Sequence, residues 1–518
     1  MRFFLPISTF NLALRSIIAL NHYAVWDLIR LGVLTIMHFS TCNFQFTLCN
    51  KKHYRLPPRT LRPTPFVMFR TFILITSCLL LAIGLGSCSG GGSSSGGQSP
   101  TAWAKAYGGV NHDVAHCIQQ ASDGGFIVAG ETSSFGVVNP DVWVLKLDVN
   151  GSIQWQKSYG GIGFDIGRSI QQTSDGGYIV AGETSSFGTD TDVWILKLNA
   201  DGTVQWQNRY GGNGVDVAYS VQQTSDGGYI VAGEMTPAGA TAADAFVLKL
   251  KSDGSIDWQE FYGGTGDDRA WSIRQASDGG FIVAGETNSF GAGGFDIWVW
   301  KLEASGSVAW QRTFGGIKDD TAYSVQQTSD GGYIIAGGVT PVGSIFKDVF
   351  LLKLDASGSV VWGNRYGGAN NDVAFSVQQA SDGGYIIAGK NSPNPITSNM
   401  WVLKLDSNGG VVWEKTYGGQ GSNSANFVFQ NSDGGYIMTG ETSFGAGEAD
   451  AWALKLDENG NIGSGCSIVG TPNVAGVTAG FIMGISPVIV TPTNAVAAAP
   501  SASPLDSAAT TTTQCSFP

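Results

Sequence analysis

This chain of 518 residues is poor in the side chains that most enzymes rely on, with five histidines, seven cysteines and only 14% charged residues. Beyond Cys88 the histidines are reduced to His112 and His116. Two are too few for a zinc ligand set, and neither stands in a Ser/His/Asp signature. Basic residues are scarce as well: 29 Lys and Arg against 41 Asp and Glu give a formal charge of -12. Nine of the basic residues and one of the acidic ones precede Cys88, so the remainder carries 20 against 40. Nucleic-acid binding begins with neutralising phosphates by Lys and Arg, and so acidic a chain excludes it. No acidic cluster has the alternating spacing of a calcium loop, so no metal is expected. What the chain has instead is 73 glycines and 15 tryptophans, the composition of repetitive β-structure.

The repeat is explicit. Ser-Asp-Gly-Gly recurs seven times, with its aspartates at Asp123, Asp175, Asp226, Asp278, Asp330, Asp382 and Asp433, spaced by 51 or 52 residues. The second copy, YGGIGFDIGRSIQQTSDGGYIVAGETSSFGTDTDVWILKLNADGTVQW, holds four strand-like runs bounded by glycine or Asx turn signals, none long enough for a helix. Four short strands per unit predict an all-β fold, a seven-bladed β-propeller of four-stranded blades over residues 101–462. Each unit supplies an outer aromatic (Trp103, Trp155, Trp206, Trp258, Trp310, Trp362, Trp413) and a third-strand aromatic such as Trp143 or Trp194. Repetition in every unit makes these rings core, with their indole N–H groups expected to find partners on a neighbouring blade. The first strand, TAWAKAYGG, matches the fourth strand of a unit, whereas the last copy ends after its third at Asn459-Gly460. Trp103 is therefore expected to complete the seventh blade, leaving no open sheet edge and a monomeric ring.

The segment LKLDVNGSIQW, ending at Trp155, resembles the tryptophan-docking motif of propellers of the quinoprotein dehydrogenase class. The resemblance implies fold rather than chemistry. In that class eight blades hold pyrroloquinoline quinone and calcium, often beside a disulfide of adjacent cysteines; this chain has seven units and no adjacent cysteines, and no cofactor is expected. A lipid-anchored propeller of the same repeat type that assists outer-membrane barrel assembly is similar in architecture.

Residues 68–87 have the layout of a secretory signal, with Arg70 ahead of an apolar run from Phe72 to Leu85 that ends in small residues. Leu85-Gly86-Ser87-Cys88 resembles a bacterial lipobox. That resemblance implies cleavage before Cys88, a diacylglyceryl group on its sulfur, an acyl chain such as palmitate on its new amino group, and outer-membrane or surface localisation. The other reading is an uncleaved anchor, although the run falls short of the ~20 residues a spanning helix needs. Residues 1–67 lie upstream of this complete signal and are read as a start codon assigned too early. Residues 88–100 form a Gly/Ser tether, and 463–518 an Ala/Thr/Pro-rich tail in which Cys466 and Cys515 are candidates for a disulfide. Cys117 stands where other blades carry serine and is expected to be a buried thiol.

Two acidic series recur. Asp113, Asp165, Asp216, Asp268, Asp320 and Asp372, with Asn423, precede the first strand; Asp141, Asp192, Asp244, Asp296, Asp348 and Asp450, with Asn399, open the third. Both are read as turn caps rather than ligands. One first-strand position breaks the repeat, running His116, Arg168, Tyr219, Trp271, Tyr323, Phe375 and Asn426 between nearly constant neighbours. If that strand is innermost, these seven side chains form a belt near the axis and are the candidate ligand-binding residues; gap-filling between blades is the competing reading. No catalytic residue is assigned. The expectation is a non-catalytic binding or scaffolding lipoprotein whose partner is an envelope protein or glycan, with an envelope polysaccharide hydrolase or lyase as the alternative class.

Overall fold

Each repeat carries its turns within it. In Ser-Asp-Gly-Gly the first glycine adopts φ of 82° to 85° in every copy, a left-handed conformation that other residues resist. Gly124 N–H closes this turn onto Ala121 O at 2.9 Å, and Asp123 Oδ1 accepts from Gly125 N–H at 2.9 Å. The strands so connected are 7 or 8 residues long in blade 1: Asp113–Gln120, Phe126–Thr132, Asp141–Leu147 and Ile153–Gly160. Every third strand is buried almost end to end, since a propeller stacks sheet on sheet and covers both faces. A buried lysine interrupts each of these strands. It reaches the aspartate of its own Ser-Asp-Gly-Gly turn, from Lys146–Asp123 at 2.7 Å round to Lys455–Asp433 at 2.7 Å, because a buried ammonium needs a partner.

The structure, a computed structural model, describes residues 102–135, 139–237, 239–418, 421–443 and 449–462, together with the backbone of the short strands Met37–Ser40, Asn43–Phe46, Val469–Gly470 and Thr510–Thr513. The signal segment, Cys88, the tether, Cys466 and Cys515 lie outside the described residues. Met37–Ser40 and Asn43–Phe46 pair as a hairpin. The remaining strands form seven antiparallel sheets, six of them with four consecutive strands in sequence order, and the fold is the expected all-β seven-bladed propeller. Val469–Gly470 and Thr510–Thr513 add to the outer strands of blades 6 and 1.

Blade is joined to blade at the outer edge by one repeated contact. The outer tryptophan lies over the positive-φ glycine of the next blade's last turn; a Cβ on Gly151 would approach the Trp103 ring to 2.8 Å, and one on Gly460 would approach Trp413 to 2.9 Å. A tyrosine further along the same strand donates to that glycine's carbonyl, as in Tyr107 to Gly151 and Tyr417 to Gly460, both at 2.7 Å. Trp103–Tyr107 pairs with Asp450–Leu456 as the fourth strand of blade 7 and docks on blade 1, so the two ends of the ring are clasped as expected. One expectation fails in part. Trp103 Nε1 does donate to the next blade, at Val149 O (3.1 Å), but the buried indole N–H groups of Trp143, Trp194 and Trp401 have no hydrogen-bond partner among the described residues, and Trp298 donates within its own blade to Gln311.

The two acidic series turn out to be one. At each blade junction the third-strand acid of one blade and the first-strand acid of the next flank the first glycine of Tyr-Gly-Gly, or of Phe-Gly-Gly after blade 4. A Cβ at Gly211 would land on Asp192 Oδ1 and within 2.6 Å of Asp216 Oδ2. Six junctions hold two aspartates, and the seventh holds Asn399 and Asn423, each 2.9 Å from a Cβ on Gly418. The first-strand acids cap the turn, Asp113 accepting from Gly109 N–H at 2.8 Å and from Ser134 Oγ at 2.6 Å.

Deleting residues 101–107 should expose the edge of Asp450–Leu456, lower the melting temperature by several degrees and yield oligomers on size-exclusion chromatography; unchanged melting would count against the clasp. The acid pairs set a second expectation. Burial first, then the facing carboxylate, pushes Asp244 up to about 6; burial dominates likewise at Asp192, Asp296 and Asp348, also about 6. The folded state therefore binds more protons than the unfolded chain between about pH 4 and 6, so this contribution is full below pH ~4 and is lost as pH rises through about 6. The Ser-Asp-Gly-Gly acids act the other way: at Asp175 and Asp226 burial is outweighed by the lysine partner, which holds them at about 2, and this contribution is lost only as pH falls below ~4. Melting should be higher at pH 4.5 than at pH 7, and D192N/D216N, copying the Asn399–Asn423 junction, should reduce the difference. Equal melting at the two pH values, read by calorimetry, would refute the linkage.

Candidate functional site

The innermost strand of every blade carries one residue too many. Its pairing with the second strand slips between Ala115 and Cys117, and equivalently at Gly167/Ser169, Ala218/Ser220, Ala270/Ser272, Ala322/Ser324, Ala374/Ser376 and Ala425/Phe427. The residues skipped are His116, Arg168, Tyr219, Trp271, Tyr323, Phe375 and Asn426, the seven variable positions. A bulge leaves its extra residue outside the ladder and re-aims the side chain. Because the seven first strands neighbour one another in a closed ring, these side chains share one level around the axis, and each is half-buried.

This position is free to vary because its neighbours do the joining. The serine after it accepts a backbone N–H from the next blade, as at Ser169 from Val221 (3.2 Å) and Ser376 from Val428 (3.2 Å). The last glutamine of each first strand accepts the N–H of the preceding blade's turn serine, from Ser122 to Gln172 (2.7 Å) round to Ser432 and Gln120 (3.0 Å), which closes the circle.

The belt has two halves. Tyr219, Trp271, Tyr323 and Phe375 form a continuous aromatic arc across blades 3 to 6, with successive ring centroids 4.0, 5.4 and 5.2 Å apart. Asn426, His116 and Arg168 form the polar remainder. Asn426 Nδ2 donates to Ala115 O at 3.1 Å, and Arg168 bonds Glu183 at 2.5 Å. His116 Nε2 lies 3.5 Å from Glu131 Oε1, too poorly aligned for a hydrogen bond.

Behind the belt stands a collar of second-strand glutamates. Burial alone would raise the Glu131 carboxyl, but His116 beside it holds it below its ordinary value. Tyr219 donates to Glu234 at 2.5 Å, and burial followed by that carboxylate holds its phenol far above the usual range; Tyr323 is pushed up to about 12 by burial and Glu286. Both phenols are neutral donors at any physiological pH. Arg269 bridges two blades, bonding Glu234 at 2.6 Å and Glu286 at 2.8 Å. Lys390, which replaces the glutamate in blade 6, lies 5.9 Å from the Phe375 ring centre. Sequence reasoning missed Arg269, although the signal was available: the equivalent residues are Val114, Ile166, Val217, Thr321, Val373 and Ser424. Among the described residues no group of three or more His, Cys, Asp or Glu side chains is arranged to hold a metal ion. Cys117 is a buried free thiol.

Residues 173–204 and 224–257 match a family described as a β-propeller domain of unknown function, DUF5122. None of the curated proteins compared matches the chain. Among solved structures the chain is similar to puromycin hydrolase (12% identity, TM-score 0.43, 67% of this chain and 52% of that one). It is also similar to Sqt1 from Chaetomium thermophilum (10% identity, TM-score 0.40, 70% and 87%) and to a glucose dehydrogenase (10% identity, TM-score 0.32, 55% and 98%).

Proposed function

We propose that the chain is a non-catalytic envelope lipoprotein, tethered through Cys88, that binds a protein or glycan partner at the belt end of its propeller axis. The observation that carries this reading is the placement of the seven most variable first-strand side chains at bulges, each half-buried beside the axis, within strands whose other positions change less. An asymmetric ligand needs unlike groups from a symmetric frame, and the aromatic and polar arcs supply them. The loop face beside the belt's glutamate collar supports it. Val110, Ile162, Phe164, Ile317, Val342 and Ile396 all sit in the turns of that face, and Val342 and Ile396 are 91% and 86% exposed. These exposed apolar side chains add surface that a macromolecular partner at this rim would bury.

Two measurements test this. Replacing Trp271 and Arg168 together by alanine should abolish capture on a glycan array or in a pull-down from envelope extract while leaving melting unchanged; a large fall in melting with partner binding intact would make the belt a packing device. Turnover of an envelope polysaccharide, lost on substituting a non-repeated residue, would overturn the non-catalytic reading. Cys88→Ser should move the chain from the membrane fraction to the soluble fraction, and an unchanged distribution would remove the lipid anchor.

A further inference from the structure

On the far side of the belt, toward the Ser-Asp-Gly-Gly turns, the axis widens into a cavity of about 380 Å³ lined by no belt residue. Its size falls within the roughly 300 to 1,000 Å³ of small-ligand sites. Glutamines from five blades line it at one repeat position: Gln119, Gln171, Gln222, Gln326 and Gln378. Four of them accept the backbone N–H of the next blade's glutamine through Oε1, at 2.5 to 2.7 Å, and Gln119 does so from Gln172 at 2.7 Å. Only an oxygen can accept from a backbone N–H, so these bonds fix each amide with its oxygen engaged. The five Nε2 groups have no hydrogen-bond partner among the described residues. No carboxylate lines the cavity.

Two blades depart from glutamine here. Blade 4 supplies Arg274, whose Nη1 donates to Ser220 Oγ at 3.1 Å and to Ile273 O at 2.7 Å; among the described residues it has no carboxylate partner. Burial pulls this guanidinium below its ordinary value. A charge kept inside a protein without a counter-ion is costly, and in a chain with so many acids none has been placed beside it. Blade 7, across the ring, supplies Phe429 at the same position and Phe427 two residues earlier, where the other blades carry serine or Cys117.

We infer that this cavity is a second binding site, selective for a small organic carboxylate whose anionic end pairs with Arg274 and the glutamine amides and whose apolar body rests on Phe427 and Phe429. Guanidinium and carboxylate match in geometry as well as charge, and a lining that offers Arg274 and five amide donors but no carboxylate favours an anion. The site is independent of the belt, so loss of partner binding at Trp271 leaves it intact.

Isothermal titration of the full chain with phenylacetate, phenylacetamide, acetate and inorganic phosphate tests the assignment. Phenylacetate should bind one per chain, with phenylacetamide weaker by about tenfold or more because the charge-assisted bonds are lost. Arg274→Gln installs the residue five other blades carry and should fold, with melting unchanged, yet weaken phenylacetate by about tenfold or more. Phe429→Gln should bring phenylacetate down toward acetate. Four outcomes overturn the inference: no saturable binding up to about 10 mM, equal binding of the amide, phosphate as tight as phenylacetate, or an Arg274→Gln protein that binds unchanged. The amide comparison uses the unmodified chain, so the result stands whether or not the variant folds.

Discussion

The constraint on which this molecule depends is that seven twisted sheets must be tied together near the axis, where their inner strands converge, while one side-chain position there is left free to vary. The solution is a circle of hydrogen bonds from backbone to side chain. Turn serines donate to glutamines of the following blade, and the last bond, Ser432 to Gln120, spans 312 residues of sequence. Since serine and glutamine carry the repeated joining, the bulged residue one place earlier is not required for it, although Asn426 adds a bond to Ala115 O, and the chain can set His116, Trp271 and Asn426 in one ring without loosening the blades. The outer edge is held differently, by tryptophan on glycine, and there the same residues recur in every blade. Fixity outside and freedom at the bulge are two consequences of one closure.

What could be read from the sequence was what repetition made visible. The blade count, the four strands, the outer tryptophans and the Trp103 clasp all rest on spacing, which is a local property. Less legible were the relations between repeats. The two acidic series looked like separate turn caps, because Asp192 and Asp216 are 24 residues apart and belong to different blades. Their pairing was nevertheless written in one coincidence: the only two asparagines in the two series, Asn399 and Asn423, meet at the same glycine. The buried lysines were equally plain in every LKL segment, but an alternating strand pattern gives no reason to send Lys146 to a turn aspartate 23 residues back. Nor does spacing reveal a bulge, since an extra residue adds one to the count of every blade alike.

The expectation that each indole N–H would find a partner failed for a physical reason. Trp143, Trp194 and Trp401 lie in third strands buried between blades, with Ser158, Arg209 and Thr416 opposite them in the ladder but none of these accepting from the indole. An unmet N–H costs about 1 to 3 kcal/mol, and a fully buried indole regains more than that through the area it removes from water. Trp103, at the outer edge, reaches a turn carbonyl because the turn backbone is exposed there. Position in the blade alone does not decide which indoles are satisfied: the outer Trp206 has no partner among the described residues, whereas the third-strand Trp298 donates to Gln311.

Departures from the repeat are most numerous in two blades. Blade 4 departs from the repeat at Arg269, Trp271, Arg274 and Trp300, and blade 7 at Asn423, Asn426, Phe427 and Phe429. In a ring of seven these blades are as far apart as the geometry permits, so any ligand on the axis meets both. In the belt, blade 4 offers an indole and blade 7 an amide; in the cavity beyond, blade 4 offers a guanidinium and blade 7 two phenyl rings. The polarity of the axis therefore reverses from one end to the other. A structural need would have been met by repeating serine and glutamine, as most blades do, and packing alone gives no reason for the departures to face each other at both levels. Recognition along a single direction across the axis would give one, and it is the physical ground for the proposal that this propeller binds inside its ring.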